Sequence, residues 1–142
     1  MAEIIGKQIK NIPWQDKPEG CTEPVWRYTE NPIIDRTFVK DANSIFNSAV
    51  VSFGDGFAGV FRMDDITRDQ FLVTGFSKDG IHWKLNDKKI FHGYDPRLCE
   101  IDGKFYLSWV VHTDRGTSIG VASTTDFEAW DRMENAVLPV SR

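Results

Sequence analysis

From Ser44 onward apolar residues fall in short runs separated by glycine and aspartate, and sustained helical spacing is absent. Phe46-Asn47-Ser48-Ala49-Val50-Val51-Ser52-Phe53 reads as a strand. Gly54-Asp55-Gly56 follows as a tight hairpin turn, because glycine supplies the positive φ that such turns need. Phe57 to Met63 is the return strand, Asp64 to Asp69 a charged connection and Gln70 to Ser77 a third strand. Lys78-Asp79-Gly80 turns again, and Ile81-His82-Trp83-Lys84-Leu85 reads as a fourth strand.

The pattern then repeats. Tyr94 to Ile101 is a strand, Asp102-Gly103 a turn and Lys104 to Val111 the return. Thr117 to Ser123 is the third strand, and Phe127 to Met133 the fourth. Phe57 matches Phe105 at an offset of 48, Ser77 matches Ser123 at 46 and Trp83 matches Trp130 at 47. A four-strand unit repeating every ~40–50 residues is the sequence sign of a β-propeller blade. Two blades are expected, near 44–91 and 94–137, with the tryptophans as packing residues between blades. The offset of 48 also sets Asn47 opposite Asp95, each opening the first strand of its blade. First strands line the central channel of a propeller, so these two side chains should project into one pocket. Pro96 is expected to hold Asp95 extended at the strand entrance.

Residues 1–43 read as an N-terminal arm and lead-in strand, and 44–142 as an incomplete propeller domain. Prolines break the periodicity of 1–24, with Ile12 and Trp14 as expected anchors, and Asn31-Pro32-Ile33-Ile34 reads as a turn into a short extended piece. The segment Leu138 to Arg142 reads as the approach to a third blade. A ring needs at least four blades, so the chain is expected to belong to a longer protein or to associate.

The 142 residues are 41% hydrophobic and 27% charged, as in a soluble domain. The net charge of −4 argues against a nucleic-acid or acidic-membrane partner. No apolar run approaches the ~20 residues of a membrane span, and Met1 to Lys10 lacks a signal-peptide core, so a cytoplasmic location is expected. The two cysteines and three histidines lack metal-ligand spacing, so no metal site is expected.

Asn47-Ser48-Ala49, Gly59 to Asp64, Gly75 to Trp83 and Tyr94-Asp95-Pro96-Arg97, continued by Gly116 to Ala122 and Thr125-Asp126-Phe127, resemble the β-mannoside phosphorylases of glycoside hydrolase family 130. The resemblance covers most of residues 25–142 and implies the first blades of an all-β, five-bladed propeller. It implies a glycosyltransferase-type glycoside phosphorylase: inverting cleavage of β-mannosides, such as mannosylglucose or β-1,4-manno-oligosaccharides, by inorganic phosphate to α-mannose 1-phosphate. Phosphate would be a co-substrate, and no cofactor is implied. Asp95 falls on the catalytic acid, which in this family passes its proton through the sugar's 3-hydroxyl. Asn47, Ser48 and Arg62 fall on residues that hold the mannosyl unit, and Tyr94 lies beside the acceptor sugar. Arg142 and Arg115 are the implied phosphate-binding residues. The loop His112 to Gly116 departs from the family's His-Gly-Pro-like version. Two other readings are a β-mannosidase on the same propeller and a non-catalytic sugar-binding or interaction module. Association into a homo-oligomer is compatible with each.

Overall fold

The computed structural model describes residues 15–136. The expected anchors Ile12 and Trp14, the approach to a third blade and Arg142 lie outside the described residues. Strands β1 (Ala42–Phe53), β2 (Gly56–Asp65), β3 (Gln70–Ser77) and β4 (Trp83–His92) form one antiparallel sheet in sequential order. Strands β5 (Tyr94–Ile101), β6 (Lys104–Thr113), β7 (Gly116–Thr124) and β8 (Asp131–Arg132) form a second of the same design. Asp102 and Gly103 both take positive φ, 51° and 75°, as a two-residue hairpin turn requires. The two blades read from the sequence are therefore present.

One face of each sheet builds the shared core. Ala58, Val60 and Leu72 of the first sheet pack with Phe105, Leu107, Trp109 and Ala122 of the second. Phe127 is only 1% exposed and meets Phe53, Phe76, Phe105 and Trp130 edge-on or tilted. Gly93 is the pivot between the sheets, at φ 128°. A side chain there would meet the Val110 carbonyl at 2.2 Å and the Trp109 ring at 2.7 Å. That contact lets the Trp109 Nε1 donate to the His92 carbonyl at 3.0 Å and its ring stack on Phe91 at 4.4 Å. The opposite face of the first sheet buries Phe61, Met63, Val73 and Leu85 beneath Ile34, Phe38 and Val39 of the arm. The Lys40 amide fastens the arm to the edge strand by donating to Asp87 at 2.8 Å.

Several expectations are corrected. Among the described residues of the arm no lead-in strand forms before Ala42; a 3-10 turn, Arg36–Phe38, stands there instead, capped by the Asp35 carboxylate accepting from the Thr37 amide. The fourth strand of the first blade starts at Trp83, not Ile81, and runs on to His92. The Asp79 carboxylate accepts from the amides of Ile81 and His82, at 2.9 and 2.8 Å, and so withdraws both from any ladder. The fourth strand of the second blade shrinks to Asp131–Arg132, because Asp126 takes the amides of Glu128 and Ala129 in the same way. Lastly, the counterpart of Ser77 is Thr124, not Ser123. Ser77 pairs with Phe57 and Thr124 with Phe105, and each hydroxyl accepts from the amide three residues on. Trp130 does pack between sheets, against Phe91, whereas Trp83 stays on Phe61 of its own sheet.

Candidate active site

Strands β1 and β5 are the first, edge strands of their sheets and lie beside each other. Each carries an irregularity in its pairing, between Phe46 and Ala49 in one and between Tyr94 and Arg97 in the other. Asn47 and Asp95 sit in these bulges with φ of 47° and 53°. Asparagine and aspartate tolerate this left-handed region better than other residues with a Cβ. Asp95 is therefore not extended, as Pro96 led one to expect; the bulge overrides the local preference. A bulge re-aims a side chain, and here two bulges aim theirs at each other. Asn47 Nδ2 donates to Asp95 Oδ1 at 2.6 Å.

Arg62, on β2 opposite Phe46, completes the cluster. Its Nη1 lies 3.6 Å from the same Asp95 Oδ1. Its Nε and Nη2 form a two-point pair with Asp64, at 2.8 and 3.1 Å. The guanidinium lies 4.3 Å from the centre of the Phe46 ring and 5.2 Å from that of Tyr94. Asp64 keeps the Arg62 guanidinium firmly protonated. Arg62 and Asp64 side chains are only 14% and 18% exposed, while Asp95 is 36% exposed. The result is a fixed cation behind an accessible carboxylate. Asn47 and Arg62 both address Oδ1, and among the described residues the Oδ2 of Asp95 has no partner.

Asn47, Arg62, Tyr94 and Asp95 thus come together. Ser48 is exposed and has no hydrogen bond to this cluster; it lines a cavity of about 680 Å³ with Arg27, Asn31, Phe46 and Trp83. Arg115 is exposed in the β6–β7 hairpin, where its amide bonds the Thr113 hydroxyl. The hairpin extends from the strand end that pairs with Tyr94, so Arg115 stands at the same end of the sheet, outside the cluster. Arg97 turns back to its neighbour, donating to the Pro96 carbonyl at 2.8 Å. Two members were missed from the sequence, Asp64 and Phe46. Asp64 was legible in principle: residues two apart on a strand share a face, so Arg62 and Asp64 were bound to meet.

The chain belongs to glycoside hydrolase family 130, whose description is beta-1,4-mannooligosaccharide phosphorylase; the match runs over residues 6–142. It is similar to the beta-1,4-mannooligosaccharide phosphorylase of Ruminococcus albus, at 46% identity over an alignment of 157 positions. That alignment takes in 98% of this chain and 47% of the relative, so the chain spans about half the relative's length. Among solved structures it resembles a family 130 glycoside hydrolase that targets β-1,2 mannosidic linkages in Candida mannan, with a TM-score of 0.69 and 16% identity over 88% of this chain and 45% of that one. It also resembles the β-1,2-mannobiose phosphorylase of Listeria innocua, with a TM-score of 0.65 and 17% identity over 81% of this chain and 52% of that one. At these identities the structural likeness speaks for the fold alone.

Proposed function

We propose that this chain supplies the first two blades, and the catalytic acid, of a cytoplasmic inverting β-mannoside phosphorylase acting on β-1,4-manno-oligosaccharides. The observation that carries this reading is Asp95 itself, accessible where β5 meets β1, with one carboxylate oxygen held by Asn47 and Arg62. The Ruminococcus albus relative at 46% identity supplies the reaction and the substrate class.

In this mechanism a phosphate oxygen attacks the anomeric carbon of the mannosyl unit from the face opposite the leaving sugar. The bond to the glycosidic oxygen breaks, and that oxygen takes the proton that Asp95 delivers through the 3-hydroxyl. Asp95 needs only one oxygen for this, and Oδ2 is the one not engaged by Asn47 or Arg62. Asn47 retains a second amide hydrogen, and Arg62 a guanidinium edge, for sugar hydroxyls. Ser48 and Tyr94 belong to the mannosyl and acceptor sides, and Arg115 and Arg142 to phosphate, as the resemblance implies. A complete ring needs further blades, and they would bring the other phosphate contacts.

Hydrolysis by inversion needs a second carboxylate about 6.5–9.5 Å away to deprotonate water. Asp64 is engaged at both oxygens by Arg62 and is not available as such a base. Phosphate is already an anionic nucleophile, so a single carboxylic acid suffices. The test is the phosphate dependence of cleavage by the complete enzyme. Mannobiose consumption should require phosphate and yield mannose 1-phosphate. Release of two free mannoses at a rate independent of phosphate would establish the hydrolase instead.

A further inference from the structure

We propose that His112, near the end of β6, forms with Tyr94 the wall that receives the sugar next to the mannosyl unit, and so sets which leaving sugar is accepted. This rests on the phosphorylase reading above and adds a residue to it. Tyr94 pairs with Val110 across β5 and β6, and His112 follows two residues later on the same face. The diagonal brings the Tyr94 and His112 ring centres to 5.4 Å, tilted by 45°.

The internal repeat says where this wall stands. Phe46 pairs with Arg62 in the first sheet, and Tyr94 pairs with Val110 in the second, both shifted by 48. The same shift carries Asp64 onto His112. In the first sheet this set of positions fixes Arg62 over the Phe46 ring and beside Asp95. In the second sheet the same set holds an aromatic ring backed by an imidazole, one step further round the inner rim. The sugar joined to the mannosyl unit must occupy a step adjoining the acid. Tyr94 touches both sets: its ring lies 5.2 Å from the Arg62 guanidinium and 5.4 Å from the imidazole.

The chemistry suits a pyranose. A sugar presents an apolar face of C–H groups and a rim of hydroxyls, and an aromatic ring with a nearby polar group matches both. His112 Nδ1 lies 3.4 Å from the Thr117 hydroxyl across the hairpin, which orients the ring. Nε2 has no partner among the described residues, and the side chain is exposed. The competing reading is that His112 merely closes the β6–β7 hairpin.

The two are separated by kinetics of the complete enzyme in the direction of synthesis, with α-mannose 1-phosphate as donor and mannose or mannobiose as acceptor. His112→Ala should raise the acceptor KM about tenfold, the effect of one lost hydrogen bond with its contact. The KM for mannose 1-phosphate should stay within about twofold, since the mannosyl contacts Asn47 and Arg62 stand on the first sheet and the phosphate residues Arg115 and Arg142 are left unchanged. His112→Phe keeps the ring and should recover part of the loss, which also guards against a folding defect in the alanine variant. Acceptor KM unchanged in both variants, or donor and acceptor KM rising in step, would overturn the proposal. A parent enzyme that transfers no mannose to any acceptor would overturn the phosphorylase reading, and this inference with it.

Discussion

Replacing Asp95 by asparagine isolates its chemistry from its structural role. The position has φ of 53°, which asparagine accepts as readily as aspartate. The asparagine oxygen can still accept from Asn47 Nδ2, whose contact is now 2.6 Å. Arg62 keeps its two-point pair with Asp64 and stays in place. The fold and the sugar contacts should survive, and what disappears is the proton. An acid acting in the transition state contributes roughly 10²–10⁴ in rate, or about 3–5 kcal/mol at 1.36 kcal/mol per decade. In the complete enzyme kcat on mannobiose should fall by at least that factor, with a far smaller change in KM, because the lost interaction is made mainly in the transition state. A dinitrophenyl mannoside needs no protonation of its leaving group, so the variant should recover much of its rate on that donor. If Asp95 only shaped a turn, asparagine would serve equally well, since both residues favour turns. Near-normal kcat on mannobiose would therefore refute the assignment, and an equal loss on both donors would show that Asp95 does not act as the proton donor.

Three further predictions follow from the packing, the electrostatics and the open sheets. Gly93→Ala should destabilise the fold by about 3 kcal/mol or more in chemical denaturation, since the methyl group meets the Val110 carbonyl at 2.2 Å at a φ of 128°; a loss under about 1 kcal/mol would mean that the pivot has slack. Lys89, followed by the Thr67 hydroxyl, holds the Asp65 carboxyl well below the usual carboxylate range. Its folded pKa is depressed, so its contribution is fully present above the unfolded value of about 4 and is lost as pH falls below that. Thermal melts should be steady from about pH 7 to 5 and decline below about pH 4, and Asp65→Asn should be less stable at pH 7 with a shallower acid decline; an unchanged acid slope would remove Asp65 from the account. The isolated 1–142 polypeptide should associate in sedimentation and show little phosphorolysis, because two sheets leave apolar groups such as Val50, at 44% exposure, uncovered; an active monomer would contradict this.

The repeat was legible because it rests on short-range chemistry. Glycine and aspartate turns and two-residue alternation mark each hairpin, and the offset of 48 that joins Asn47 to Asp95 reappears as a hydrogen bond. What the sequence hid were competitions between side chain and backbone. Phe127 looks like the start of a strand, yet it has φ of 64° and fills the core, because Thr124 and Asp126 hold the following turn closed. Asp95 looks extended before a proline, yet the strand bulges there to meet its twin. Asp64 looks like part of a charged connection, yet it is the partner that locks Arg62. The arm's cover over Phe61 and Met63 depends on contacts distant in sequence, which no local pattern carries.

The most direct test of the central claim is the anomeric configuration of the first phosphorylated product. Phosphorus NMR of the complete enzyme acting on β-1,4-mannobiose and inorganic phosphate should show α-mannose 1-phosphate growing as inorganic phosphate declines. The β anomer, or free mannose with the phosphate signal unchanged, would contradict inverting phosphorolysis at the Asp95 site.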